Sequence, residues 1–207
     1  MGSSSILDII GSFIVFGLLF IMALRLNASA TENNSAYFAN YVLQRNLIIL
    51  VTLLEDDFKR IGYCKISTHI PNPADAIVYC DSNKFAFLTD LNDNGGIDRV
   101  EYSLGAASEL TATPNPRDRY LYRKVNSNTP DRWNLGVTQF KFQYSNYLEE
   151  PLTYPEAFAN PSTVGLVDLS VQLESPSPVQ QEYMQDTTQY QIFWRQIRLS
   201  SKNLRNR

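Results

Sequence analysis

Residues 47–64, LIILVTLLEDDFKRIGYC, are the stretch where one hydrophobic period gives way to another. Up to Ile61 the apolar residues recur at steps of three and four, which is the spacing of one face of an α-helix. Gly62 is suited to end that helix, because glycine readily takes the left-handed backbone of a helix terminus. The stretch therefore predicts a helix that ends here and packs one apolar stripe on the chain that follows.

The same helical period extends upstream of this stretch. The predicted stripe consists of Tyr37, Tyr41, Leu47, Ile48, Val51, Leu54, Phe58 and Ile61. A polar segment at residues 27–35, NASATENNS, offers several helix caps, but neither Pro nor Gly occurs in residues 18–61. Because those two residues are the usual helix breakers, one bent helix of about fifty residues is compatible with the sequence.

Residues 9–24, IIGSFIVFGLLFIMAL, form an uncharged apolar run bounded by Asp8 and Arg25. With its apolar neighbours the run reaches about 30 Å as a helix, which is enough to cross a bilayer. Three interpretations are open: a signal peptide cleaved near ASA at residues 28–30, a retained membrane anchor, or a helix that leaves the membrane and packs in a filament core. In a filament core Asp8 would need a partner, whereas at a membrane it would simply lie at the interface.

Beyond Gly62 the hydrophobic period changes to two. Short alternating or aromatic runs are separated by Pro- and Asn-rich turns, the pattern of antiparallel strands. In VTQFKFQYS at residues 137–145, Thr138, Phe140, Phe142 and Tyr144 alternate with Val137 and three polar residues. We expect further strands at residues 76–80, 84–90, 99–104, 119–125, 164–174 and 190–200.

Together these patterns predict an α+β fold, in which a long N-terminal helix packs on an antiparallel β-sheet head. The expected division is an apolar transmembrane or filament-core helix over residues 1–30, an amphipathic helix over residues 31–62 and the globular head over residues 63–207.

Within residues 89–101, TDLNDNGGIDRVE, residues 90–101 match the twelve-residue pattern of a calcium-binding loop. Ca²⁺ prefers six to eight oxygen ligands, and a glycine at the sixth position of the loop allows the sharp turn. Oxygen-only ligands also favour calcium over zinc. The predicted ligands are Asp90, Asn92, Asn94, Gly96 through its backbone carbonyl, Asp98 and Glu101.

The flanks of this loop have the pattern of strands, so a helix–loop–helix calcium site is not expected. Asn94-Gly95 is also one of the strongest hairpin signals, because both residues accept the positive φ angles of tight turns. A metal that pins a hairpin and a plain hydrogen-bonded turn therefore both remain open. On the following strand we expect Arg99, Glu101 and Ser103 on one face, with the alternate residues facing the core.

Cys64 and Cys80 are the two cysteines of the chain. In an exported protein such a pair forms one disulfide, whereas in the cytosol it gives two free thiols. Neither cysteine lies in a CxxC arrangement, which argues against a zinc or redox role.

Composition and motifs argue against two classes of function. A formal charge of −3 is unlike that of nucleic-acid-binding proteins, which carry a basic face. The single histidine, His69, lies in a turn pattern, and the common hydrolase, phosphate-loop and metalloprotease motifs are missing from the sequence. Glu149 and Glu150 lie in YLEEPLTYPE at residues 147–156, which is predicted to be an acidic loop. We therefore expect no enzymatic activity and no nucleic-acid partner.

The order of these segments resembles the type IV pilin-like superfamily, most closely the minor pilins and the J-type pseudopilins of type II secretion. An apolar helix continues as an amphipathic helix, followed by an acidic Asn-Gly turn and strands rich in aromatic residues. The resemblance extends over roughly residues 40–205. The motifs that carry it are LLEDDFKRIGYC (53–64), FAFLTDLNDNGGIDRVEYSLG (85–105), YLYRKV (120–125), GVTQFKFQYSN (136–146) and IFWRQIRLSSKNLRN (192–206).

The resemblance implies a non-enzymatic subunit of a bacterial surface filament or secretion pseudopilus, assembling with copies of itself or related subunits. It implies insertion in the inner membrane before assembly and a head in the periplasm or outside the cell. In such a filament Asp8 would offset the N-terminal amine of a neighbour or a cation, and Asp90, Asn92, Asn94 and Asp98 would form a calcium site that stabilises the head. The alternative is a membrane-tethered, calcium-dependent module that binds a sugar or a surface ligand.

Overall fold

One helix, α1 (Gly2–Lys59), forms the whole N-terminal part of the chain in the computed structural model, which describes residues 2–178, 189–199 and 203. At 1.5 Å per residue its 58 residues span about 87 Å. The polar segment at residues 27–35 does not interrupt it. The hydroxyls of Thr31 and Ser35 donate to the carbonyls four residues upstream, Asn27 and Thr31, at 2.9 and 3.0 Å. These hydroxyls therefore bond within the helix instead of capping a new one.

Helix α1 ends where the sequence predicts. Gly62 has a φ of 72°, in the left-handed region that favours glycine. A Cβ atom at this position would lie 2.9 Å from Cβ of Pro73, so the turn is also too crowded for a side chain. The N–H of Gly62 donates to the carbonyl of Leu88 at 3.0 Å, which ties the end of the helix to the sheet.

The head is a single antiparallel sheet in the order β1-β2-β3-β4-β5-β7-β8, with the short β6 paired to β5. Every pairing is antiparallel, and the predicted α+β architecture is confirmed. The strands are β1 (Ile77–Cys80), β2 (Lys84–Thr89), β3 (Asp98–Leu104), β4 (Arg119–Val125), β5 (Asp131–Ser145), β6 (Pro151–Leu152), β7 (Leu166–Glu174) and β8 (Ile192–Leu199).

Each strand predicted within the described residues is present, with two differences. Strand β5 begins at Asp131, six residues before the alternating run, because its first residues pair with β4 around a bulge. The predicted acidic loop contains β6 and the start of a short helix, α2 (Tyr154–Ala159). A capping box starts α2, since the Glu156 carboxylate accepts hydrogen bonds from the backbone N–H and the hydroxyl of Thr153 at 2.9 and 2.7 Å. The end of the C-terminal motif, residues 200–202 and 204–206, lies outside the described residues.

The stripe of α1 that packs on the sheet differs from the predicted one. The buried residues are Leu43, Leu47, Leu50, Val51, Leu54, Asp57, Phe58 and, just after the helix, Ile61. Tyr37, Tyr41 and Ile48 of the predicted stripe are exposed, with Tyr41 at 63%. The prediction was wrong at these three positions because α1 carries apolar residues on more than one face, so period alone does not identify the face that docks.

The inner face of the sheet supplies the rest of the core. Phe58 of α1 lies 5.2 and 5.4 Å, between ring centroids, from Phe85 and Phe87 of β2. Along β5 the predicted alternation is confirmed, with Phe140 and Phe142 buried and Lys141 between them exposed. The alternation breaks at one place, where a bulge between β5 and β7 buries both Val137 and Thr138.

Candidate assembly surface and loop site

The first part of α1 makes little contact with the rest of the chain. From Ile6 to Leu26 its large apolar side chains are exposed on all sides of the helix, and the apolar part is long enough to cross a membrane. A helix that is apolar all round is stable only in lipid or among other proteins. Its structure is therefore compatible with membrane anchoring.

The exposed apolar surface continues beyond the length that a bilayer can cover. We call Tyr37, Phe38, Tyr41, Ile48 and Ile49 the free face, since each is exposed, although Phe38 also lines a groove with residues 175–178. Arg45 interrupts the free face. Further along, the same side of the helix turns polar, with Thr52, Asp56 and Lys59 exposed. The apolar surface thus ends about three turns before the helix does.

Asp8 lies in the apolar part of α1 and is exposed. The Ser12 hydroxyl donates to its backbone carbonyl at 2.7 Å. Ile9, Phe13 and Phe16 surround it on the helix surface. Within the described part of the chain no cation lies within ion-pair distance of the Asp8 carboxylate, and the assembly role assigned to it stays a prediction.

A buried polar cluster fixes the docked part of α1 to the sheet. Arg123 of β4 donates two hydrogen bonds to the Asp57 carboxylate, at 2.7 and 3.1 Å, and the Tyr102 hydroxyl donates to the same carboxylate at 2.5 Å. Burial opposes the charge on Arg123, but its bonds and ion pair with Asp57 raise the pKa of its guanidinium. Burial, together with the Asp57 charge and hydrogen bond, raises the pKa of Tyr102.

This cluster was not predicted, although the sequence holds a signal for it. Asp57 follows Leu54 by three residues and precedes Ile61 by four, so it continues the buried stripe. A carboxylate in such a position needs a cationic or hydrogen-bonding partner.

The Asp90 carboxylate organises the loop between β2 and β3. It accepts backbone N–H bonds from Gly95 at 2.8 Å, Asn94 at 3.1 Å and Lys65 at 3.2 Å. Burial opposes ionisation of Asp90, but these bonds, with a further one from Asp93, outweigh it and lower the pKa of the carboxyl. Asp90 therefore ties the loop to the chain that leaves α1.

The other predicted calcium ligands also accept hydrogen bonds. Asp98 accepts from the Leu91 N–H at 3.1 Å and from the Asn126 side chain at 2.7 Å. Asn92 and Asn94 accept backbone bonds within the loop, from Asn94 N–H at 3.3 Å and Gly96 N–H at 2.6 Å.

Glu101 lies on the outer face of β3, as predicted, where Lys84 and Arg99 bind its carboxylate at 2.9 and 3.2 Å. The described residues bring together no group of three or more His, Cys, Asp or Glu side chains that could hold a metal. Calcium binding by the six predicted ligands stays a prediction.

The predicted bridge between Cys64 and Cys80 is not formed in this structure, where both residues carry free thiols. They occupy different surroundings. Cys80 is buried at the end of β1, and this burial raises the pKa of its thiol to about 12. Cys64 lies beside the loop, with its sulfur 3.6 Å from the carbonyl of Gly95. The same carbonyl is 2.6 Å from Nδ1 of His69, so the single histidine contacts the loop by a hydrogen bond.

Comparison of the chain with models of known protein families, with curated proteins and with solved structures gave no match. What the structure establishes is thus the architecture itself, a long N-terminal helix with an exposed apolar part, packed at its other end on an antiparallel sheet.

Proposed function

We propose that the protein is a non-enzymatic, pilin-like structural subunit of a cell-surface filament or secretion pseudopilus, which assembles through α1. In this proposal the apolar part of α1 resides in the inner membrane before assembly and in the filament core afterwards. The sheet head faces the periplasm or the cell exterior. The proposal rests on the sequence resemblance and on one structural observation, the free face of α1.

The free face matters because of where it lies along the helix. A bilayer core accommodates about twenty helical residues, which residues 6–26 supply. Burial of α1 against the sheet begins at Leu43, and residues 175–178 after β7 line a groove with the turns just before it. The segment between them, residues 27–42, spans about 24 Å and carries Tyr37, Phe38 and Tyr41 exposed.

A simple tether would leave these three aromatic side chains in water. Exposed apolar patches on a protein usually mark contact surfaces. The α1 helices of neighbouring copies offer the same kind of surface, so a bundle of them would cover the apolar anchor and the free face together. The alternative function, a calcium-dependent binding module on a tether, gives the free face no partner.

Within such a bundle Asp8 would be withdrawn from water. A carboxylate in an apolar bundle is costly unless it is paired. We assign it to the N-terminal amine of a neighbouring copy or to a cation, which would also fix the axial register between the two helices.

Site-specific photo-crosslinking tests this proposal. A benzophenone amino acid replaces Tyr41 of the free face in one variant and Asp56 of the polar end in the other, on the same side of α1. After illumination of cell membranes and of any filaments seen by electron microscopy, we expect a ladder of self-crosslinked multimers from position 41 and much less from position 56. Position 41 giving no self-crosslinks, in a sample without filaments, would contradict assembly through α1 and favour the tethered module.

A further inference from the structure

A pocket of about 580 Å³ opens on the sheet, lined by residues of β4, β5, β7 and β8. Its polar lining includes Arg117, Arg119, Lys141, Gln139 and Gln172. Pockets of several hundred Å³ with a few converging polar groups are typical of small-molecule sites. The pocket belongs neither to the free face of α1 nor to the β2–β3 loop, and its role does not depend on the proposed assembly.

The three cationic side chains in this pocket differ in their ion pairs. Arg117 binds the Glu174 carboxylate through two nitrogens, at 2.7 and 2.9 Å. Arg119 and Lys141 form no ion pair with any residue in the described part of the chain. Moreover, Nε of Arg119 is fully buried and has no hydrogen-bond acceptor among the described residues. A buried donor without an acceptor is destabilising, and such groups are rare in folded proteins.

Neither of the neighbouring carboxylates serves as that acceptor. Glu174 already accepts hydrogen bonds from Arg117, Asn115 and Gln172, the last two at 3.0 and 2.9 Å, and these bonds lower the pKa of Glu174 although burial opposes them. Asp118 is buried without a well-formed hydrogen bond. Burial raises its pKa, an effect that the adjacent Thr113 hydroxyl only partly offsets.

We propose that this pocket binds an oxyanion, a carboxylate or phosphate group carried on a small organic molecule, with Arg119 and Lys141 as its cationic contacts. An oxyanion in the pocket would accept charge-assisted hydrogen bonds from the guanidinium of Arg119, which has no carboxylate partner among the described residues. Lys141 contributes a second charge from the exposed face of β5. Apolar residues in the lining, Leu104 and Ile192, would contact the carbon skeleton of the ligand.

Arginine side-chain NMR tests the proposal on the full-length protein in a non-ionic detergent. Inorganic phosphate and acetate are titrated separately at constant ionic strength, and the Arg119 Nε–H resonance is assigned by its loss in R119Q. We expect this resonance to shift and to saturate with at least one of the two probes. The probe that binds more tightly then identifies the anionic group.

Two variants separate a specific site from general screening of charge. K141Q should weaken binding by about tenfold or more, since it removes one charged contact to the anion. K124Q is the matched control, because Lys124 is a cation of the neighbouring strand β4 that lines a different pocket with Glu101 and Arg99. Equal effects of K141Q and K124Q, or a resonance that neither probe moves, would overturn the proposal. Lys141 is exposed and Lys124 partly exposed, so the binding comparison uses variants that retain Arg119, and R119Q serves only to assign its resonance.

Discussion

The two parts of α1, the docked part from Leu43 to Lys59 and the part before it, both carry large apolar side chains but have opposite surroundings. Phe58 is 1% exposed among Phe85, Phe87 and Tyr102, whereas Phe38, on the same helix, is 68% exposed. Both belong to an uninterrupted helix, so helix formation does not distinguish them. The difference is that the sheet of the same chain covers the docked part, while the described chain leaves the large side chains of the free face mostly exposed. An apolar helix surface indicates that a partner is required, without indicating whether that partner is in the same molecule.

The same substitution in the two parts should give the largest contrast in stability. Phe58→Ala removes a ring from the centre of an aromatic cluster and should cost about 3–5 kcal/mol of unfolding free energy. Phe38→Ala removes an exposed ring and should change it by less than about 0.5 kcal/mol. Urea unfolding of both variants in detergent, followed by tryptophan fluorescence, measures the contrast. A comparable loss in both variants would mean that the free face packs on the head.

Two adjacent aspartates provide a second matched pair. Asp57→Asn leaves the Arg123 guanidinium buried without a counter-charge, and breaking a buried pair in this way costs about 3 kcal/mol. Asp56→Asn changes an exposed side chain one position away and should be nearly neutral. Replacing Arg123 by Met in the Asp57→Asn background should recover part of the loss, because no unpaired charge then remains. Equal unfolding free energies for the two single variants would show that the pair does not hold α1 on the sheet.

The docked part of α1 was only partly predictable from sequence. Leu47, Leu54 and Phe58 were predicted to be buried and are, and toward the end of the helix the opposite side is polar, which leaves one apolar stripe there. Leu43 and Leu50 were missed in favour of Tyr41 and Ile48. A helix with apolar residues on two sides offers two stripes of the same period, and the choice between them depends on the sheet, which forms from residues far away in sequence.

The strands were more predictable than the sites. In an antiparallel sheet covered on one face, alternation directly reports which residues face the core, as Phe140 and Phe142 show. The pocket of Arg117, Arg119 and Lys141 had no local signal, since it depends on the pairing of strands that are distant in sequence. The calcium pattern was found from local spacing, but spacing does not reveal that Lys84 and Arg99 bind Glu101.

The loop between β2 and β3, which is predicted to bind calcium, also contacts the end of the docked part. Arg60, the residue after α1, donates a side-chain hydrogen bond to the carbonyl of Leu91 in this loop at 2.9 Å. If Ca²⁺ binds only the folded loop, a concentration of a hundred times its Kd raises the free energy of unfolding by about 2.7 kcal/mol. Asp98→Asn should abolish the increase, and Glu101→Gln should reduce it less, because Glu101 is occupied by two cations. Thermal unfolding with Ca²⁺ or Mg²⁺ measures the effect. A Tm that does not respond to Ca²⁺ would identify the loop as a plain hydrogen-bonded turn.

Lowering the pH should reduce the free energy of unfolding through protonation of Asp90, whose carboxylate ties the β2–β3 loop to the chain that leaves α1. Because the pKa of Asp90 is lowered in the folded state, its carboxylate stabilises the fold above its unfolded pKa of about 3.9, and this contribution is lost as the pH falls through the lower folded pKa. Unfolding free energy measured from about pH 6 down to acid should therefore fall in the wild type. The fall should be smaller in Asp90→Asn, and the difference between the two curves separates Asp90 from other carboxylates such as Glu174. Parallel curves would show that Asp90 contributes nothing to this pH dependence.

The smallest change in stability is expected from substitutions in the free face, and these substitutions test most directly whether it is an assembly surface. Replacing Tyr41 and Ile48 together by Ser alters two exposed side chains, so the free energy of unfolding should stay within about 0.5 kcal/mol of the wild type for each substitution. If the free face binds neighbouring helices, the same variant should lose self-association, because hydroxyls would replace apolar contacts in every copy of the bundle. Thr52→Ala, at the polar end of the same side, should leave both properties unchanged. Sedimentation and electron microscopy measure assembly, and chemical unfolding measures the fold. A variant that assembles normally would show that the free face is not an assembly surface, whereas loss of assembly with an intact fold would show that its partner lies outside the chain.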